Sequence, residues 1–201
     1  MKLKLKFFIA FLFFIIVIFF LMGCQKKIVS GQKTPVELNP EEAQKFVAIN
    51  NPERVTHNTF SMVKPKEWKE VLYASNTLIY LPPESSINDS FSEKISMIVG
   101  FVPENETRSL KEITEESFAK SKEIMPSIEL VSEDDYRLGQ IDGIRLVFTA
   151  RIQNRTLEIT QIRARQGRVV YAFSTQCEQG MCQHTDIFYE MAGSFEWKNP
   201  E

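Results

Sequence analysis

Apolar and polar positions fall into distinct regimes along this chain. Met1–Lys6 alternates lysine with leucine, and Phe7 to Met22 is an unbroken apolar run. Residues 25–55 are polar and punctuated by Gly31, Pro35, Pro40 and Pro52, with room for a short helix from Glu41 to Ala48. From Asn58 onward, alternation with period two dominates. In Lys94–Val102, Ile95, Met97, Val99 and Phe101 share one face and Ser96 and Gly100 the other, which predicts a strand. In Ile141–Ile152, Ile144, Leu146, Phe148, Ala150 and Ile152 face a core, and Arg145, Thr149 and Arg151 face away. Further strands are expected over Thr59–Val63, Thr77–Leu81, Ile128–Leu138, Thr156–Arg165 and Val169–Thr175. Turns at Gly139, Asn154-Arg155 and Gln166-Gly167 are short enough to demand antiparallel neighbours.

Two stretches carry helical period instead. Over Ser109–Met125, Leu110, Ile113, Phe118, Ile124 and Met125 fall on one arc, with small Ser117 and Ser121 inside it. Ser109 with Glu112 is a capping-box signature, and Pro126 ends the segment. Asp186–Gly193 is the second helix, with Ile187, Phe188 and Met191 on its stripe. Strands, helix, strands, helix predict an α+β domain: an antiparallel sheet of about six strands flanked by helices.

The leader sets the location. Lys2, Lys4 and Lys6 make a positive n-region, and the apolar run is short for a span of about 20 residues. Leu21-Met22-Gly23-Cys24 resembles the bacterial lipobox, with Met22 where a smaller residue is commoner. That resemblance implies a diacylglyceryl group on the Cys24 sulfur, cleavage before Cys24, and acylation of the new amino group, palmitate being a typical chain. The other reading of the run is an uncleaved membrane anchor. Both put the globular part outside the cytoplasmic membrane. The expected division is a signal peptide over 1–23, a polar tether over 24–57 and a sandwich domain over 58–198. Gln25 stands where inner-membrane lipoproteins typically carry aspartate, which favours the periplasmic side of the outer membrane in a Gram-negative cell.

Charge narrows the partners. The whole chain carries a net −2, and removing residues 1–23 takes three basic residues and no acidic one. The mature chain is therefore acidic, which argues against nucleic acid and against peripheral binding to anionic lipid. The expected partners are the bilayer, through acylated Cys24, and a protein of the envelope.

With Cys24 committed to lipid, Cys177 and Cys182 remain. In an exported chain an isolated pair reads as a disulfide, and Gly180 relaxes the loop between them. Two free thiols, or a metal site built from Cys-x4-Cys-x-His with His184, are the alternatives. His57 and His184 read as surface or capping residues. Glu133-Asp134-Asp135 reads as a solvated loop rather than a calcium site. Arg145, Arg151, Arg163, Arg165 and Arg168 pair with acidic neighbours or form a basic face. Trp68, Tyr73, Tyr80 and Tyr171 read as core or rim. No catalytic constellation, metal or cofactor is indicated.

Phe60 to Pro65 followed by Trp68, Ile141-Asp142-Gly143 opening a long strand, and a final helix running into Ser194-Phe195 resemble the PsbP-like family. The glycine usual before that tryptophan is Glu67 here. The resemblance covers roughly Asn58 to Trp197 and implies an α/β/α sandwich. It also implies an adaptor-like or binding role. The expected function is a non-catalytic binding or adaptor domain acting in the cell envelope, with a small-ligand or metal-binding lipoprotein as the alternative.

Overall fold

The computed structural model describes residues 49–89 and 91–198. The leader, Cys24 and the segment with the expected helix over 41–48 lie outside the described residues. The rest is built on one long antiparallel sheet. Its strands are β3 (Lys69–Ala74), β4 (Thr77–Leu81), β5 (Lys94–Phe101), β6 (Ile128–Leu138), β7 (Ile141–Ile152), β8 (Arg155–Gln166) and β9 (Val169–Glu178). They lie in the order β3-β4-β5-β9-β8-β7-β6. Two strands open the described chain, β1 (Pro52–Thr56) and β2 (Phe60–Pro65), and β10 (Glu196–Trp197) closes it. These form a second, three-stranded antiparallel sheet centred on β2.

The strand order explains the first helix. After β5 the chain must reach β6, four places away across the sheet, a distance of roughly 19 Å at the usual strand spacing. Helix α1 (Leu110–Ile124) has 15 residues, about 22 Å of helix, and makes that crossing. The capping box at its start is formed: Ser109 Oγ accepts from the Glu112 N–H at 3.2 Å, and Glu112 Oε2 accepts from the Ser109 N–H at 2.8 Å. From β6 the chain returns as a meander, β6-β7-β8-β9, through two-residue turns. The turns after β6 and β8 each begin with a glycine at φ +59, as glycine-first hairpin loops do. The turn after β7 begins with Gln153, also at φ +59.

Both faces of the long sheet are covered. On one lie helix α2 (Thr185–Gly193) and the small sheet. Phe195 stacks on Phe60 at 5.5 Å and meets the Tyr171 ring edge-on at 5.0 Å; Phe173 stacks on Phe188 at 4.9 Å. The Tyr171 hydroxyl donates to the Thr59 carbonyl at 2.9 Å and ties the two sheets together. On the other face α1 packs on a smaller cluster of Met125, Ile128, Ile144, Leu146, Phe148 and Ala150.

Several expectations are corrected. The long sheet has seven strands, not six, and a second small sheet accompanies it. The expected tether to 57 is too long: Pro52–Thr56 is strand β1, paired residue for residue with β2, and Ile49 packs against the core. Lys64 reinforces that pairing. It is buried, and its three ammonium protons meet Glu53 Oε2 at 2.8 Å, the Trp68 carbonyl at 3.1 Å and the Pro65 carbonyl at 3.3 Å. Glu133-Asp134-Asp135 is not a loop but the middle of β6, where Asp134 pairs in register with Arg145 of β7.

Candidate binding site

The sheet face beneath α1 holds a pocket. Its helix side is Ser121 and Ile124, continued by Met125 and Ile128. Its sheet side comes from Phe148, Ala150 and Ile152 of β7, Leu157, Ile159 and Gln161 of β8, Ser174 and Gln176 of β9, and Ile98 of β5. Its cavity volume is about 60 Å³, and it opens to solvent at one side. Local sequence explains the opening. The buried helix positions Thr114 and Ser117 are small, so the first turns of α1 lie close to the sheet. Phe118 packs edge-on against Phe148 at 5.8 Å. The helix rests on β6, β7 and β8, and the β5 and β9 side of the same face carries Ile98, Ser174 and Gln176 into the pocket.

The walls are apolar and the floor is polar. Gln161 and Ser174 face each other across β8 and β9 and are both buried. The Ser174 and Ser96 hydroxyls are bonded at 2.9 Å. Arg163 Nε donates to Gln161 Oε1 at 2.6 Å. Arg163 is itself buried, and desolvation pushes its pKa down to about 10, so it is still a cation at neutral pH. The pocket itself is lined by no charged side chain.

The residues singled out from sequence are dispersed. Cys177 and Cys182 are joined through their sulfurs, with Cα atoms 5.3 Å apart. Their loop is fixed to β5 by Glu93, which accepts from the Gln183 and His184 N–H groups and meets His184 Nδ1, each at 2.9 Å. The edge of Trp68 packs on the His184 ring at 5.1 Å. Among the described residues no group of three or more His, Cys, Asp or Glu side chains is placed to hold a metal ion. His57 lies 3.3 Å from Glu70 and packs on the Phe60 ring at 4.8 Å.

The arginines do not share a face. Arg145 forms a two-pronged pair with Asp134, both contacts 2.9 Å, and also donates to the Tyr189 hydroxyl at 3.1 Å. Arg168 pairs with Glu104 at 2.6 Å. Arg165 donates to the Gly167 and Arg108 carbonyls at 2.8 Å each. Pairing and capping account for these three. Trp68, Tyr80 and Tyr171 are core, while Tyr73 is exposed on the edge strand β3 beside Leu72.

Gln161 and Ser174 were missed because alternation assigns such polar positions to solvent. The signal that could have found them is a polar residue on a central strand of a sheet supplied with two helices, one for each face.

No family model and no curated protein matches the sequence. Solved structures do match in fold. LpqN of Mycobacterium tuberculosis, involved in cell envelope biogenesis, is 14% identical with a TM-score of 0.51, over 74% of this chain and 91% of LpqN. The Saccharomyces cerevisiae Ran-binding protein Mog1p is 13% identical with a TM-score of 0.50, over 73% of this chain and 95% of Mog1p. A Bacteroides thetaiotaomicron protein matches with 13% identity and a TM-score of 0.47 over 70% of this chain, which spans 45% of that protein. The chain thus shares its fold with LpqN and Mog1p, here a mostly antiparallel sheet with a helix on each face.

Proposed function

We propose that the chain is an exported lipoprotein of the cell envelope, anchored through acylated Cys24, whose folded domain binds without catalysing. The signal peptide over 1–23 and the lipobox resemblance support the anchor. The binding reading rests on one observation: an apolar-walled pocket with a polar floor beneath α1. Pockets of this make-up are the usual form of small-molecule sites. The fold neighbours support a binding role, one being involved in cell envelope biogenesis and the other binding Ran.

Two measurements test this. Cys24→Ser abolishes metabolic labelling with palmitate; labelling that persists removes Cys24 as the acylation site. The processed chain, residues 24–201, contains every described element and both cores. It binds the neutral dye N-phenylnaphthylamine saturably, and Ala150→Phe, which fills the pocket from β7, reduces that binding at least tenfold. Dye binding indifferent to Ala150→Phe, in a variant with unchanged circular dichroism, rules out this pocket as the site.

A protein partner in the envelope is the second reading. Leu72, 68% exposed on the edge strand β3, favours it, since edge strands with apolar side chains are docking surfaces. A photo-crosslinker at position 72 captures one defined envelope protein if this reading holds, and one at Glu129 on the far edge strand does not.

A further inference from the structure

Gln161 is 3% exposed, sits on the central strand β8 and lines the pocket. Its orientation follows from its neighbour. A guanidinium has only donors, so the Gln161 atom that meets Arg163 Nε at 2.6 Å must be the amide oxygen. The amide –NH2 is then the end left for the pocket. Among the described residues the hydrogen bond seen for the Gln161 side chain is the one from Arg163, and its –NH2 is not sealed off from the pocket that Gln161 lines. Directly across the strand pair is Ser174, whose hydroxyl is bonded to Ser96 at 2.9 Å. When Ser96 is the donor of that bond, the Ser174 proton is also available to the pocket.

With Ser96 as that donor, two donors converge at the base of a pocket otherwise walled by Ile98, Phe148, Ala150, Leu157 and Ile159. A donor that faces the pocket is available to a ligand's acceptor. The complement to two donors is one atom with two lone pairs and no proton, a carbonyl oxygen. The complement to the walls is an aliphatic chain. Ile124, 37% exposed, and half-buried Ile152 extend the apolar lining toward solvent. We propose that the pocket holds an acyl chain whose carbonyl oxygen accepts from the Gln161 amide and the Ser174 hydroxyl. This rests on the pocket being the binding site, as argued above.

The test is competition against N-phenylnaphthylamine on residues 24–201, with lauric acid, methyl laurate and dodecane as competitors. An acyl ligand displaces the dye at a concentration about five- to tenfold below dodecane, the effect of one to two added hydrogen bonds. Displacement by the acid alone assigns a free fatty acid; displacement by acid and ester alike assigns the acyl group of an ester. Gln161→Glu keeps an oxygen for Arg163 but turns a second oxygen toward the pocket. It abolishes the preference for the acyl ligands and leaves dodecane unchanged. Ser174→Ala, which leaves Gln161 and Arg163 in place, lowers the preference in part and serves if Gln161→Glu does not fold. Dodecane competing as well as both acyl ligands, or a preference that survives these variants, overturns the proposal. Failure of the dye itself to bind the unaltered protein instead refutes the pocket as a binding site.

Discussion

Gly139→Ala separates two costs that are usually measured together. Gly139 and Gly167 both open hairpin turns of the long sheet at φ +59. An L side chain in that left-handed region costs about 1–2 kcal/mol, and loss of glycine's freedom in the unfolded chain changes alike at both sites. At Gly167 nothing lies within 4 Å of an added Cβ, so Gly167→Ala reports the backbone cost alone. At Gly139 the added Cβ falls 1.9 Å from the Phe195 carbonyl oxygen, where ordinary contact begins at 3.4 Å. Phe195 cannot retreat freely, because its ring is held between Phe60 and Tyr171. Overpacking of this kind costs roughly 1–3 kcal/mol. Separating the turn from α2 also loses the Gly139 N–H bond to the Ala192 carbonyl, 2.8 Å long, worth about 0.5–1.5 kcal/mol. Gly139→Ala should therefore exceed Gly167→Ala by about 2–4 kcal/mol, a further fall in Tm on the order of 10 °C for a domain of this size. Urea unfolding followed by the fluorescence of Trp68 and Trp197 measures both. Equal losses would refute the claim that the β6–β7 turn is docked against the end of α2.

Two further outcomes follow from the same sheet. Gln153 takes φ +59 in the third hairpin turn without being a glycine, so Gln153→Gly should raise stability by up to about 1 kcal/mol; a loss on urea unfolding would mean that its side chain makes contacts that outweigh the strain. The Arg108 guanidinium beside Glu106 holds that carboxyl down to about 2 from an ordinary 4.5. A lowered carboxylate stabilises the fold above its unfolded value, and that contribution is lost as pH falls toward the folded value. Glu106→Gln removes it, so the urea midpoint of the variant should fall less than that of the parent between pH 4.5 and about 2; parallel curves would assign the acid sensitivity elsewhere.

The local parts of this fold are legible in the sequence, and the parts set by distant partners are not. Helix α1 is readable because its cap, its arc and its stop at Pro126 are written within one segment. Strands β6 and β7 match their expected bounds because Gly139 and the neighbouring turn punctuate them. Strands β1, β3 and β10 escape for a shared reason. Each is short or lies at a sheet edge, and β3 buries none of its residues fully, so no alternation marks it. Their pairing becomes visible only once β2 and β4 offer them an edge. The expected layering of sheet and helices reached the right outline, and Phe60, Trp68 and Phe195 lie in the core where the small sheet and α2 meet the long sheet. It did not reach the strand count.

The alternation rule misled at the centre of the sheet, and the error points to the site. On a one-sided sheet, Ser96, Gln161 and Ser174 would face water. Here they are buried, and burying polar groups is unfavourable unless each is bonded. Ser96 bonds to Ser174, and Arg163 to one end of Gln161. The fold does not require such residues, because the opposite face of the same strands is filled by Ile162, Ala164 and Phe173, all buried in an apolar core. One face thus carries the dense aromatic packing that joins the two sheets. The other is thinner, roofed by a helix with small buried residues, and keeps a donor at its floor. That division puts the dense packing on the first face and the proposed ligand site on the second.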